Sequence, residues 1–105
     1  MKRVILSLLA ITAVAHAGDK DKADALFKHG KKLMEEKKYN DACEAFEQSM
    51  KLDPGIGTEL NIARCYEEWG KLGRAWRSYK AAEKMAKDAN DARAGKIDEI
   101  GRAHV

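Results

Sequence analysis

The sequence predicts an all-α fold built from stacked helix pairs. The main support is a repeat of 33 residues, in which small residues recur as small and large apolar residues as large. A fixed period of this length is typical of a two-helix unit that stacks on copies of itself. No stretch alternates apolar and polar residues as a strand would, and the single proline falls between two predicted helices. The repeated positions are Gly30, Leu33, Lys37, Tyr39, Ala42, Phe46 and Ser49, matched by Ala63, Tyr66, Gly70, Leu72, Ala75, Tyr79 and Ala82.

The first two predicted helices form one unit. The first covers residues 19–37, where apolar residues fall on one face and polar residues on the other. Gly30 interrupts it, and because an interior glycine costs about 1 kcal/mol relative to alanine, we expect a neighbouring helix to cross closely there. A connection at residues 39–41 leads to the second helix, with Asn40 or Asp41 as its cap. Pro54 ends that helix, since proline disfavours helical backbone in the preceding residue.

The second unit has the same layout. Thr58 is the predicted cap of the third helix, and residues 70–73 form the predicted connection to the fourth. The fourth helix is expected to run to about Asp88. Residues 89–91 then form another break and cap, followed by a weaker helical segment that holds Ile97 and Ile100.

The first 17 residues have the layout of a secretory signal peptide. A short basic start precedes an apolar run from Val4 to Val14, and a small-x-small pattern ends at Ala17. The alternative is a membrane anchor, but about 20 apolar residues are needed to span a bilayer and this run is far shorter. We therefore expect cleavage before Gly18 and export of the chain.

Residues 100–105 form an unusual ending. One frame of a widely used short-read sequencing adapter encodes the same six residues, followed by a stop codon. We therefore expect that the natural gene continues and that residues 100–105 are not native. Codons that differ from the adapter sequence would contradict this hypothesis.

Composition and motifs exclude several functions. Without residues 1–17 the chain has 18 basic and 17 acidic side chains, and acids alternate with the early lysines. Nucleic-acid binding usually needs a patch of one sign and a reading motif, so no nucleic-acid partner is expected. No nucleophile–base arrangement or glycine-rich phosphate loop is present. We expect no enzyme activity, no cofactor and no small-molecule substrate.

The cysteine and histidine residues predict no metal site and leave open whether the two cysteines form a disulfide. No Cys/His spacing suits zinc, so no metal site is expected, and His29 falls on the predicted core face. The repeat places Cys43 on a second helix and Cys65 on the first helix of the next unit. In an exported chain they either form a disulfide, which requires α carbons within about 7 Å, or remain buried as small apolar residues.

The repeated residues resemble the tetratricopeptide repeat family. The first unit, residues 23–54, matches it closely, whereas the second unit, residues 56–87, departs from it twice. Glu59 stands where a large apolar residue is expected, and Lys87 replaces the closing proline. The segments 41–47 and 61–67 also resemble exported repeat proteins of myxobacteria-like Gram-negative bacteria. The matching residues of the first unit are Leu26, Gly30, Leu33, Tyr39, Ala42, Phe46, Ser49 and Pro54.

The resemblance implies a short right-handed solenoid of antiparallel helix pairs, with two repeats in residues 18–88 and an additional partial helix in residues 89–105. It also implies a concave groove that binds a protein or peptide segment. Some members use an asparagine at the position of Asn61 to hold the peptide backbone or its terminal carboxylate. Phe27 and Lys31 replace the lysine and asparagine of those members, so a full carboxylate clamp is not supported. The implied groove residues are Phe27, Lys28, Lys31, Asn61, Arg64 and Glu68.

Simpler roles compete with groove binding. Asn61 also fits a structural consensus position, and Lys31 and Arg64 also fit a solvated helix face. The predicted function is an exported, non-enzymatic interaction scaffold in the periplasm or envelope of a Gram-negative bacterium. The alternative is a structural spacer or self-association module of a longer envelope protein. Trp76 occupies the position of Cys43 in the second unit and is expected to face whatever follows that unit.

Overall fold

The chain is helical throughout the part that the structure describes. The structure is a computed structural model that describes the backbone of residues 4–104 and the side chains of residues 18–103. No strand occurs within residues 4–104, so the predicted all-α class is confirmed. The side chains of the predicted signal peptide, residues 1–17, lie outside the described residues. The helices are α1 (Val4–Glu35), α2 (Tyr39–Leu52), α3 (Ile56–Glu68), α4 (Leu72–Asp88) and α5 (Ala94–His104).

Each helix packs on the helices next to it in the chain. Contacts join α1 to α2, α2 to α3, α3 to α4 and α4 to α5. The first three connections are three residues long and the last is five, and connections this short keep consecutive helices side by side. The fold is therefore built from local contacts, in the order of the chain.

The 33-residue period is visible in the backbone of two turns. Lys37 and Gly70 both adopt positive φ, at 60° and 82°. One residue later, the N–H of Lys38 donates to the carbonyl of Leu33 at 2.9 Å, as the N–H of Lys71 does to that of Tyr66 at 2.8 Å. This is the left-handed helix ending that satisfies the last carbonyls of α1 and α3. The two turns are therefore copies of one local structure.

Gly30 is the point of closest approach between α1 and α2. A Cβ atom placed at Gly30 would lie 2.7 Å from Cε1 of Phe46. Phe46 is fully buried, so its ring is surrounded by other side chains. Ser49, three residues along α2, donates from Oγ to the carbonyl of Ala23 at 2.7 Å. The predicted close crossing at Gly30 is confirmed.

The main core is shared by α1, α2, α3 and α4, with the contact between α2 and α3 at its centre. There Cys43 and Cys65 are joined by a disulfide, with their α carbons 5.7 Å apart. Both cysteines are buried, together with Ile62, Ala63 and Ala75. A second, smaller cluster of Ala82, Ala86 and Ile97 holds α5 against α4.

Two predicted helix caps are wrong. α2 begins at Tyr39 and α3 at Ile56, so Asn40, Asp41 and Thr58 lie inside the helices that they were expected to cap. The residues that precede the two helices, Lys38 and Gly55, make no side-chain cap. The connection expected at residues 70–73 is also shorter, since α4 begins at Leu72. The turn backbone, rather than a side-chain oxygen, sets where α2 and α4 begin.

The predicted end of α4 and the break after it are confirmed. α4 ends at Asp88, and Asn90 has a positive φ of 53°. Asp91 accepts from the backbone N–H of Arg93 at 2.9 Å and from its guanidinium at 2.8 Å. The side-chain hydrogen bond from Arg93, aided by the backbone N–H, lowers the pKa of Asp91 to about 2. The carboxylate thus stays ionised and organises the turn into α5.

One turn residue invites a stabilising substitution. Lys37 takes positive φ without the freedom of glycine, whereas Gly70 has that freedom in the equivalent turn. Left-handed backbone costs a non-glycine residue about 1 kcal/mol, so Lys37→Gly should raise the free energy of unfolding by up to about 1 kcal/mol. Gly70→Lys is the matched control and should lower it by a similar amount. Urea unfolding of both variants measures the effect, and a loss of stability in Lys37→Gly would contradict it.

At Gly30, in contrast to Lys37, we expect a substitution to lower the stability of the fold. Gly30→Ala improves helix propensity by about 1 kcal/mol, but its Cβ atom would lie 2.7 Å from Cε1 of the buried Phe46 ring. Overpacking of this kind costs about 1–3 kcal/mol, so we expect a net loss of stability in urea unfolding. Gly57→Ala is the control, because a Cβ atom there meets nothing within 4 Å. It should be neutral or stabilising. Equal effects of the two substitutions would rule out a steric role for Gly30.

Candidate binding groove

A cavity of about 670 Å³ opens on the exposed side of α3. Leu60 and Ile100 provide apolar walls from α3 and α5, and Tyr79 of α4 contributes from within the core. Arg64 and Glu68 bring charges of opposite sign to the same space. The full lining is Gly57, Leu60, Asn61, Arg64, Glu67, Glu68, Tyr79 and Ile100.

The structure brings together half of the predicted groove residues. Asn61, Arg64 and Glu68 line this cavity. Phe27, Lys28 and Lys31 do not line it. They lie on α1, where the ring of Phe27 packs 5.6 Å from that of Phe46 and Lys31 Nζ lies 5.9 Å from the Phe27 ring. Phe27 therefore contributes to the core as well as to the surface of α1.

The asparagine in the cavity is partly committed to its own helix. Nδ2 of Asn61 donates to the carbonyl of Gly57 at 2.8 Å. An asparagine offers one carbonyl acceptor and two N–H donors, so its side-chain oxygen and its second N–H are left to face a ligand. The structural role that the sequence also allows for Asn61 is therefore supported by this hydrogen bond to Gly57.

Tyr79 and Ile100 are cavity residues that sequence reasoning missed. Tyr79 is buried, but its hydroxyl donates to Glu67 Oε1 at 2.7 Å. Burial first, and then this carboxylate, raise the pKa of Tyr79. The equivalent residue of the first unit is Phe46, which has no hydroxyl. The change from Phe to Tyr was the available signal, because a buried tyrosine hydroxyl usually finds a partner.

His29, which was expected to pack in the core, is exposed on α1. The next residue, Gly30, faces the crossing with Phe46, so His29 lies just outside the buried face of α1. Among the side chains that the structure describes, no group of three or more His, Cys, Asp or Glu residues is placed to hold a metal ion.

A second cavity, of about 340 Å³, lies beside the disulfide. Tyr66 and Trp69 stack in its wall with ring centroids 6.1 Å apart, and the Arg74 guanidinium lies 5.4 Å from the Tyr66 ring. The hydroxyl of Tyr66 donates to Glu47 across the α2–α3 interface. The lining consists of Asn40, Cys43, Glu44, Glu47, Gln48, Lys51, Tyr66, Trp69 and Arg74.

Glu59 is a half-buried carboxylate near this interface, at the position where a large apolar residue was expected. Burial raises its pKa, the Ser78 hydroxyl opposes that shift, and the negative charge of Glu47 adds to it. Since burial opposes the charged form, ionised Glu59 works against folding.

Comparison with models of protein families, with curated proteins and with solved structures finds no match to this chain. The resemblance to tetratricopeptide repeats therefore stays a prediction. Within the described residues, none of the helices combines the length and the apolar character needed to cross a bilayer.

The raised pKa of Glu59 predicts a pH-dependent gain from Glu59→Gln. A group whose folded pKa lies above its unfolded value stabilises the fold below that unfolded value, and this contribution is lost as pH rises through the folded pKa. At pH 7 the variant should therefore melt above the parent chain, and near pH 4 the difference should shrink. Thermal unfolding of both proteins across this range tests it. Glu35→Gln, an exposed change on α1, is the control, and a gain at pH 7 that persists unchanged at pH 4 would contradict the assignment.

Proposed function

We propose that this chain is an exported, non-enzymatic scaffold of the tetratricopeptide type, whose groove binds a segment of another protein. The observation that carries the proposal is the cavity on α3, where three predicted groove residues meet the apolar side chain of Leu60. The proposed partner is a protein or peptide segment, and the proposal includes no cofactor and no chemical step.

Three features support a solenoid arrangement. The helices pack in chain order, as units that stack on their neighbours do. The turns after α1 and α3 share one backbone conformation 33 residues apart. Gly30 permits the close helix crossing inside the first unit, as expected from the small residue at that repeat position.

The groove offers two kinds of interaction to a peptide. An apolar side chain of the ligand would pack on Leu60 beside Tyr79, and its full burial is worth about 1.5–3 kcal/mol. Ile100 is left out of this anchor because it belongs to residues 100–105, which we expect not to be native. Arg64 and Glu68 would fix the direction of the segment through charged or polar groups on either side of that anchor. Because both charges are exposed, they contribute more to selectivity than to affinity.

Export is supported by two independent features of the chain. Residues 1–17 have the composition of a secretory signal peptide. A disulfide joins Cys43 to Cys65, and such bonds persist mainly in oxidising compartments. Together with the resemblance of segments 41–47 and 61–67 to exported repeat proteins of Gram-negative bacteria, they support the proposed location in the periplasm or cell envelope.

One observation favours the alternative function, a spacer or self-association module. Leu72 and Trp76, one turn apart on α4, are each 49% exposed. Exposed aromatic and aliphatic side chains in one patch often mark a protein contact. In this alternative the α4 patch, rather than the α3 cavity, is the surface that contacts another protein.

Peptide selection on the full chain tests the groove. A random peptide library displayed on phage is selected against the immobilised protein, and the affinities of the recovered peptides are measured by fluorescence polarisation. We expect peptides with a shared apolar anchor, whose affinity falls about three- to fivefold in Arg64→Glu, because an exposed charge pair contributes about 0.2–1 kcal/mol.

Arg77→Glu is the matched control, because it makes the same charge change on the exposed face of α4. It should alter the affinity by no more than about twofold. Failure to recover any peptide, or equal losses in the two variants, would contradict the groove. Concentration-dependent self-association of the unliganded chain that Trp76→Ala abolishes would favour the spacer instead.

A further inference from the structure

The charge of the chain is segregated along its length. Within residues 71–88, which hold α4, six side chains are basic and two are acidic, whereas residues 18–70 hold nine basic and twelve acidic side chains. Of the two acids in the α4 segment, Glu83 is buried, and Asp88 pairs with Lys84 at 2.9 Å. The outer face of α4 is therefore positive, although the part of the chain before it is slightly acidic.

The positive face distinguishes α4 from α2, its counterpart in the 33-residue repeat. The two helices occupy equivalent places in their helix pairs, but three acidic positions of α2 are basic in α4. A reversal of sign between helices that pack in the same way indicates a function of the face rather than a demand of the fold. The acids Asp41, Glu44 and Glu47 correspond to the bases Arg74, Arg77 and Lys80.

Two apolar side chains are exposed beside these cations. Leu72 and Trp76 are the exposed large apolar residues among the side chains that the structure describes. The ring of Trp76 lies 5.8 Å from Nζ of Lys80. The guanidinium of Arg77 extends back along the helix, since its Nη1 lies 3.9 Å from the place of a Cβ atom on Gly73. Apolar and cationic groups therefore share one face of α4.

We propose that the outer face of α4 docks on an anionic lipid bilayer. The helix lies along the surface, and Leu72 and Trp76 enter the boundary between headgroups and acyl chains, where tryptophan is enriched. Arg77, Lys80 and Lys84 then meet the lipid phosphates, which their long side chains reach from a helix that lies flat. None of these five residues lines the α3 cavity, so a docked chain still presents its groove.

A second copy of the chain fits this face less well. If two copies met through α4, the cations of one would oppose the same cations of the other, and like charges across a contact disfavour it. The acidic face of α2 would match the charge. Among the described residues of α2, however, no large apolar side chain is exposed to cover Leu72 and Trp76. An anionic bilayer supplies phosphates and apolar chains together.

Vesicle binding by the full chain tests the proposal through the surroundings of Trp76. Trp69→Phe leaves Trp76 as the one tryptophan of the chain. This variant is mixed with vesicles of phosphatidylcholine, either alone or with phosphatidylglycerol at about one lipid in three, and the quenching of Trp76 by acrylamide is measured. A local readout is needed, because the apolar run of residues 4–14 should bring the chain to either kind of vesicle.

The anionic vesicles should protect Trp76 from the quencher. We expect its quenching constant to fall about threefold or more and its emission to move to shorter wavelength, because the indole leaves water for the lipid interface. Vesicles of phosphatidylcholine alone should change neither quantity. Salt at about 1 M should weaken the protection, since it shortens the Debye length to about 3 Å.

A charge reversal on α4 has a matched control on α1. Arg77 forms no ion pair within the described residues, so Arg77→Glu breaks none. It should raise the lipid concentration needed for half of the protection about tenfold or more, because each basic side chain near an anionic surface strengthens binding about fivefold. Lys28→Glu makes the same charge change on the exposed face of α1 and should alter that concentration less than about twofold.

Several outcomes would overturn the proposal. Unchanged quenching on anionic vesicles, equal protection by both kinds of vesicle, or equal effects of Arg77→Glu and Lys28→Glu would each do so. Equal protection of Trp76 by a DNA duplex at the same phosphate concentration would show recognition of phosphate without lipid. Protection that rises with protein concentration in the absence of vesicles would identify a second copy as the partner of this face.

Discussion

The contact between α2 and α3 is the constraint on which the rest of the structure depends. It joins the first helix pair to the second, and the Cys43–Cys65 bond closes it across 22 residues of chain. A loop of that size loses enough entropy in the unfolded chain for the bond to contribute about 3 kcal/mol. For a small two-unit array this is a large share of the stability, which is typically about 5–15 kcal/mol.

Small side chains make that contact and its neighbours feasible. Gly30 lets Phe46 pack directly on the backbone of α1, and this fixes α2 from one side. Ala42, Ala63 and Ala75 are fully buried at the crossings that follow. Gly30 recurs as Ala63 and Ala42 as Ala75 after 33 positions, so small side chains occupy equivalent places in the two helix pairs.

The sequence predicted the helices well and their first residues poorly. Periodic apolar faces and the repeat located the helical segments, the break after Asp88 and the role of Gly30. The caps failed because side-chain oxygen is only one way to satisfy a helix start, and here the left-handed turn at Lys37 already fixes the chain before Tyr39. Three of the six residues predicted for the groove line the cavity. Asn61, Arg64 and Glu68 share one helix, whereas Ile100 enters only through the packing of α5 on α4.

The two interfaces between successive units are not equivalent, and Trp76 explains why. Its counterpart Cys43 is small enough to be buried between helices, but an indole at that position is 49% exposed. α5 covers the second half of α4 instead, where Ile97 meets Ala82 and Ala86 and Gly101 lies against Tyr79. A segment that covers Leu72 and Trp76 must therefore present an apolar surface of its own, because burying two exposed apolar side chains favours an apolar partner. The α4–α5 interface is thus a variation on the α2–α3 contact rather than a copy of it.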